Sequence, residues 1–231
     1  MARGWAAAIG VVVAACALAG AAAAESYRYL IVPRDEAAAK HAVLTRDDLY
    51  RMPALGGLSA WAGGPVQALR APETEADRCN GYLPKESDLV VTGDAASRFD
   101  LPNTAVIITQ VAVMRTRSMA QVDWRRTVGH PGFPACLRRS LTATRISPGS
   151  RITSLARLPF SNYGPQSIAY RALVEMKAKF RVAIDSIFFV HGRTKVSILM
   201  STGAPTVDDL LELKSLDLDV ADAVYARTTA N

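Results

Sequence analysis

The chain has 231 residues, of which 50% are apolar and 21% are charged, with 27 lysines and arginines against 21 acids. This apolar content excludes an intrinsically disordered protein, and no collagen-like repeat is present. Only one apolar run, over residues 5–24, approaches the length of a membrane span, which excludes a multi-span membrane protein.

The first element along the chain is a leader sequence. Residues 5–24 carry no charge, follow Arg3 and end in Ala22, Ala23 and Ala24. A basic start, an apolar stretch and a small-residue end are typical of a secretory signal peptide. We therefore expect a signal peptide over residues 1–24, cleavage before Glu25, and an exported mature chain over residues 25–231.

Two other interpretations of the leader remain open. Residues 13–16 (VAAC) resemble a bacterial lipobox, which would place a lipid on Cys16, although eight apolar residues follow where a polar tether is usual. An uncleaved anchor is the third interpretation, but eleven of the twenty residues are alanine, so insertion would be weak. All three interpretations place the folded part outside the cytoplasm, either secreted or as a membrane-anchored lipoprotein.

The remaining cysteines fit an exported protein. Cys79 and Cys136 are the two cysteines of the mature chain, and an even count in an oxidising compartment favours a disulfide between them. Two unrelated buried thiols are the alternative. The bridge would close a long loop and stabilise the fold by roughly 4 kcal/mol in the chain-entropy model.

The N-terminal half of the mature chain predicts strands separated by short helices. We expect a strand over 27–32, a helix over the alanine-rich residues 37–44, a capped turn at Thr45, and mostly irregular structure over 53–76. Two paired strands over 88–96 and 104–115 follow, joined by a turn at 101–103. The second of these is apolar on both faces, which predicts a central position in the sheet.

The C-terminal half predicts two helices, four strands and a last helix. Ser118 is expected to cap a helix that runs to Val128 with Trp124 turned towards the core, and a second helix covers 133–141. The four strands cover 151–160, 167–176, 180–190 and 194–201, and His191, Gly192 and Arg193 form the last hairpin turn. Thr206 is expected to cap the final helix over 207–227. Because no internal repeat or linker divides the chain, we predict a single α+β domain, an antiparallel sheet with helices packed mainly on one face.

Charge is distributed unevenly along the mature chain. Residues 115–157 contain nine arginines and one acid, Asp123, whereas residues 208–222 contain six acids and one lysine. Four of these arginines, on two successive predicted helices, form a candidate surface for an anionic partner: Arg125, Arg126, Arg138 and Arg139. The alternative is that the basic segment is an ordinary solvated face paired with the acidic C-terminal helix. Nucleic acid is not expected as a partner outside the cytoplasm, and no aromatic residues interleave the basic stretch.

Motifs for catalysis, cofactors or metals are not found in the sequence. His41, His130 and His191 lack ligand spacing, and neither a G-x-S-x-G elbow nor a P-loop is present. The loop over 161–167 (SNYGPQS) and Trp61 are candidate pocket elements, although a plain strand connection is the more ordinary interpretation of the loop. We therefore predict no catalytic, cofactor-binding or metal-binding residue.

Several short motifs together resemble a known group of proteins. They are LTRDDL, Cys79-Asn80-Gly81-Tyr82, VVTGDAASRF, Cys136-Leu137, Ala169-Tyr170-Arg171 and the VHGR hairpin. The pattern is similar to exported actinobacterial proteins of unknown function and, more distantly, to the PknH-like extracellular sensor domain of actinobacterial serine/threonine kinases. The resemblance implies a secreted sheet-and-helix module that recognises an envelope ligand in a cleft. It also implies a disulfide at Cys79 and Cys136, although the sensor domain typically has two disulfides and this mature chain can form only one.

We accordingly expect an exported, non-catalytic binding or sensing module for a ligand of the cell envelope. The alternatives are an envelope hydrolase with a scattered active site and a lipoprotein with a structural or transport-assisting role. The expected partners are an envelope ligand and an anionic surface, and the sequence indicates no particular oligomeric state.

Overall fold

The computed structural model describes residues 27–52, 62–68, 89–101, 105–143, 150–160, 163–176, 180–203 and 206–229, with the side chains of 143 and 207–212 excepted. The strands in these ranges are β1 Arg28–Tyr29, β2 Ala62–Val66, β3 Val90–Leu101, β4 Ala105–Met114, β5 Arg151–Leu158, β6 Ser167–Glu175, β7 Arg181–His191 and β8 Thr194–Gly203. The helices are α1 Pro33–Ala42, α2 Arg46–Arg51, α3 Arg117–Arg126, α4 Phe133–Ala143 and α5 Val207–Thr229.

All eight strands belong to one sheet in the order β1-β3-β4-β8-β7-β6-β5, with β2 also paired to β3. The β1–β3 pair is parallel, with Arg28 opposite Val90, and every other described pair is antiparallel. The central position predicted for β4 is confirmed, since it lies between β3 and β8. Its buried side chains on both faces match the apolar pattern that predicted this position.

Helices cover both faces of the sheet. Alternation along β4 turns Ile107 and Val111 towards face A, and Met114 towards face B. The side chains on face A pack against α1, α2 and α5, through residues such as Leu49 and Val220. The predicted class, a mostly antiparallel sheet with helices packed against it, is confirmed. The helices were expected mainly on one face, and the structure has a larger layer on face A and a smaller one on face B.

The smaller layer on face B consists of α3 and α4. Ala120 and Trp124 of α3 and Phe133 and Leu137 of α4 are buried in the face-B core. The ring of Phe133 lies 5.5 Å from that of Phe188 on β7, in an edge-to-face arrangement that favours tight packing. The expected burial of Trp124 is confirmed, with 9% of its surface exposed.

The cap predicted at Thr45 is confirmed, and it forms a complete capping box at the start of α2. Thr45 Oγ1 accepts a hydrogen bond from the Asp48 amide, and the Asp48 carboxylate accepts one from the Thr45 amide. This reciprocal capping box satisfies two backbone donors that the first helical turn leaves without partners. Arg227 of α5 donates to the same two side chains and so connects α2 to α5.

Three sequence predictions need correction or lie outside the described ranges. Thr116 caps α3, because its hydroxyl accepts from the Met119 amide, so the expected cap at Ser118 is wrong. Residues 62–66 form β2 on the edge of β3, whereas glycines and a proline had favoured irregular structure there. Residues 102 and 103 of the turn predicted at 101–103 lie outside the described ranges, and Leu101 itself belongs to β3.

Candidate functional site: an arginine surface and an adjacent cavity

The four arginines predicted to meet an anionic partner lie in the face-B layer. Arg125 and Arg126 occupy the last turn of α3, and Arg138 and Arg139 lie in the middle of α4. Arg126 is half-buried, whereas the other three are exposed. Two more exposed arginines lie just before and at the first residue of α3. We call the five exposed side chains the arginine surface: Arg115, Arg117, Arg125, Arg138 and Arg139.

No exposed acid balances the arginine surface within residues 115–142 of the described chain. Asp123, the single acid of that segment, is fully buried. Its carboxylate lies 2.6 Å from Lys195 Nζ and accepts a 2.6 Å hydrogen bond from the Tyr27 hydroxyl. Since Lys195 already neutralises Asp123 inside the fold, this carboxylate does not offset the charge of the exposed arginines.

The acidic C-terminal helix lies on the other side of the sheet. Leu216, Val220 and Val224 of α5 pack into the face-A core, whereas α3 and α4 pack into the face-B core. The α3–α4 part of the basic segment therefore does not pack against the acidic helix. The sheet lies between the two helical layers.

One acid of α5 belongs to a buried charge cluster on face A. Arg171 of β6 donates to Asp185 of β7 at 2.7 and 2.6 Å and reaches Asp217 of α5 at 3.3 Å. Asp185 and Asp217 are 0% and 2% exposed. Burial, and after it the charge of Asp185, raises the pKa of Asp217 well above its usual range, so Asp217 keeps its proton to higher pH.

A second acid of α5 accepts a hydrogen bond from the only described aromatic residue of the 161–167 loop. Tyr163 is buried, stacks on Phe189 at 5.3 Å, and donates to Asp222 at 2.6 Å. Burial, followed by this hydrogen bond, raises the pKa of the Tyr163 hydroxyl. Tyr163 thus belongs to the core, while residues 161–162 and Trp61 lie outside the described residues.

A cavity of ≈ 480 Å³ lies between α1, the β7–β8 hairpin and the C-terminal end of α5. Beside it, Arg193 of the hairpin donates to both carboxylate oxygens of Asp35 at 2.8 and 3.0 Å. Thr92 of β3 donates to the same carboxylate. These contacts hold the pKa of Asp35 below its usual range, with the Arg193 hydrogen bond as the largest cause.

The three histidines do not come together. His41 is exposed on α1, His130 Nδ1 accepts from the Gly132 amide, and His191 lies beside the cavity with its ring 5.5 Å from that of Tyr225. Across the described ranges, no group of three or more His, Cys, Asp or Glu side chains is arranged to hold a metal ion.

The two cysteines of the predicted disulfide are only partly described. Cys136 is 2% exposed on α4 and is disulfide-bonded. Cys79 lies outside the described residues, so its pairing with Cys136 stays a prediction. The leader and Cys16 also lie outside these residues.

Sequence reasoning missed three groups of paired charges because it counted their members as surface charges. These groups are Asp123 with Lys195, Asp35 with Arg193, and Arg171 with Asp185 and Asp217. Each group joins residues far apart in the chain, such as Tyr27 with Lys195 and Asp35 with Arg193. A charge in the middle of a largely apolar strand was the available signal. Both Arg171 in SIAYRALVE and Asp185 in RVAIDSIFFVH show it, because such a residue must find a partner when the strand is buried.

None of the helices formed by the described residues is both long and apolar enough to cross a membrane.

Comparisons with known proteins give only weak structural similarity. No family model matches the sequence, and no curated protein matches it. Among solved structures, the chain is similar to the extracellular domain of PknH from Mycobacterium tuberculosis, with a TM-score of 0.49 and 9% identity over 85% of this chain and 97% of that one. This similarity is too weak to transfer a ligand or a role.

Proposed function

We propose that the protein is an exported, non-catalytic binding module that attaches to an anionic component of the cell envelope through the arginine surface. The observation that carries the proposal is the segregation of charge in the fold. Among the described residues, five exposed arginines lie on or just before the two helices of one layer, the single acid of residues 115–142 is buried against Lys195, and the acidic helix lies across the sheet.

The arginine surface suits a flat anionic partner better than a small one. Its residues are spread over two helices whose inner faces are fixed in the core by Trp124, Phe133 and Leu137. Each exposed arginine close to an anionic membrane contributes about 1 kcal/mol, and the attraction fades over roughly 8 Å at physiological salt. Several such contributions together support reversible binding that depends strongly on salt.

Vesicles of phosphatidylglycerol and of phosphatidylcholine provide a direct assay for this attachment. We expect the protein to sediment with the anionic vesicles at low salt, to dissociate as salt rises, and to ignore the neutral vesicles. Failure to bind anionic vesicles even at low salt would contradict the proposal.

Two triple variants with the same net charge test the location of binding. The variant Arg125→Gln, Arg138→Gln, Arg139→Gln removes three charges from the arginine surface. The control Arg51→Gln, Arg181→Gln, Lys214→Gln removes three exposed charges from α2, β7 and α5. At about 1 kcal/mol per charge, the first variant should lose roughly 100-fold in vesicle affinity and the control far less. Equal losses would mean that net charge alone drives binding.

Export is tested separately by the mass of the mature N-terminus. We expect the recovered protein to begin at Glu25, because Ala22, Ala23 and Ala24 end the apolar run just before it. A chain that begins at a lipidated Cys16 would instead favour the lipoprotein, which could use the arginine surface while tethered.

A further inference from the structure

The cavity beside α1 has the size of a small-molecule site, with one wall of small apolar side chains and one charged wall. Its volume of ≈ 480 Å³ falls in the range of roughly 300–1,000 Å³ that is typical of ligand pockets. Ala37, Ala38 and Ala42 of α1 and Val113 of β4 form an apolar wall. The cavity stays open on this side because only alanine and valine side chains of α1 and β4 form this wall.

The charged wall of the cavity is held in place by contacts on several sides. Arg193 donates to Asp35 and to the carbonyl oxygens of Met114 and Arg115, which fixes the hairpin tip against β4 and α1. Gly93 allows the backbone of α1 to approach β3 closely, since a Cβ there would lie 2.3 Å from the Asp35 carbonyl group. A ligand would therefore meet a site that is already formed, which reduces the entropic cost of binding.

Three hydrogen-bond donors or acceptors on this wall remain available for a ligand. Within the described part of the chain, the side chains of Arg34 and His191 have no hydrogen-bond partner, and Arg193 uses only its two terminal nitrogens. The other charged group, Asp35, is already compensated by Arg193. The lining therefore carries a net positive charge from Arg34 next to an apolar wall.

We propose that this cavity binds a small organic anion, with its carboxylate or phosphate held by Arg34, Arg193 Nε and His191, and its apolar part against the alanines of α1. A guanidinium gives charge-assisted hydrogen bonds to such oxyanions. The alanine and valine wall gives the apolar part of the ligand a surface to cover, which a bare inorganic anion lacks.

Hexyl phosphate is a suitable probe, with inorganic phosphate and hexanol as its two halves. In two-dimensional NMR titrations of the purified protein, we expect hexyl phosphate to shift the amide signals of Ala37, Ala38 and Gly192 in a saturable way. Either half alone should bind at least roughly tenfold more weakly, because each makes only part of the contacts. Absence of saturable shifts with hexyl phosphate, or equal affinity for inorganic phosphate, would overturn the proposal.

Single substitutions separate the cavity from its surroundings. Arg34→Gln should weaken hexyl phosphate binding roughly tenfold or more, because it removes the unpaired guanidinium. Lys40→Gln, on the same helix but outside this cavity, is the matched control and should leave binding unchanged. Ala37→Trp, at an exposed position of the lining, should block the cavity while the protein stays folded. Equal affinities for Arg34→Gln and Lys40→Gln would contradict the assignment.

The same titration distinguishes this site from the arginine surface. The Arg125→Gln, Arg138→Gln, Arg139→Gln variant should bind hexyl phosphate as the wild type does, because none of these residues lines the cavity. Loss of hexyl phosphate binding in that variant would place the anion on α3 and α4 and overturn the cavity assignment.

Discussion

At the residue scale, the cluster of Arg171, Asp185 and Asp217 places two carboxyl groups and one guanidinium inside the fold. If both carboxyl groups were ionised, the cluster would carry an uncompensated negative charge, which is costly in a buried site. A proton retained on Asp217 removes that charge. The Oδ1 atom of Asp217 also has no hydrogen-bond partner in the described structure, so an ionised Asp217 would leave a charged oxygen unsatisfied inside the fold.

This proton makes the stability of the protein depend on pH. The pKa of Asp217 is raised on folding. The contribution of Asp217 to the free energy of unfolding is therefore fully present below the usual Asp pKa and is lost as pH rises through the folded pKa. Asp217→Asn, which cannot ionise, should therefore differ little from the wild type near pH 4 and become relatively more stable as pH rises. Urea unfolding of both proteins at a series of pH values measures the difference in their free energies of unfolding. A difference that stays constant with pH would contradict the raised pKa.

Gly93 offers a second prediction at the scale of one residue. A Cβ at this position would lie 2.3 Å from backbone atoms of Asp35, which a side-chain rotation cannot relieve. Gly93→Ala should therefore reduce the free energy of unfolding by about 1–3 kcal/mol or more through forced backbone movement. Gly64→Ala is the control, because a Cβ there meets no atom within 4 Å. Thermal unfolding of the two variants checks the prediction, and equal melting temperatures would contradict it.

The charged residues also show where sequence reasoning stops at this scale. The nine arginines of residues 115–157 could be counted from the sequence, but the neutralisation of Asp123 by Lys195 depends on a contact between α3 and β8. Residue type and spacing do not encode contacts between elements so far apart in the chain. The arginine surface was therefore partly predictable, whereas the charged wall of the cavity was not.

At the scale of elements, the sequence predicted those strands, turns and helix caps that depend on residues close together in the chain. The strands β6, β7 and β8, the turn at Gly192 with a φ of 59°, and the cap at Thr45 are all confirmed. β2 was missed because Gly63, Gly64 and Pro65 disfavour strands locally. Pairing with residues 96–100 of β3 overrides that preference, and an edge position tolerates proline.

The capping box of α2 should have a measurable effect on stability. Thr45→Ala removes the acceptor of the Asp48 amide and one acceptor of Arg227, which connects α2 to α5. Loss of such a cap costs about 1 kcal/mol, and we expect up to about 2 kcal/mol here because the second contact is also lost. Chemical denaturation checks the value, with Thr142→Ala on α4 as a control because its exposed hydroxyl bonds only to Arg138 O of its own helix. A Thr45→Ala loss no larger than that of the control would contradict a role for the box in stability.

At the scale of the whole molecule, the sheet separates a layer with exposed arginines from a layer that contains the acidic helix. Opposite charges at the two helical layers would orient the protein at an anionic surface, because the α3–α4 side is attracted and the α5 side is repelled. Sequence alone gave the two charged segments but not their placement on opposite faces. That placement depends on which face of the sheet each helix covers. The apolar side of each helix could have packed against either face, so the sequence pattern does not decide between them.

Hydrogen exchange on vesicles tests this orientation most directly. The protein is labelled with and without phosphatidylglycerol vesicles at low salt, and exchange is followed by mass spectrometry for peptides from each helix. We predict that the vesicles slow exchange in residues 117–143, which contain α3 and α4, and leave α5 over 207–229 unchanged. Slower exchange in α5, or no change in α3 and α4 while the protein is bound, would contradict attachment through the arginine surface.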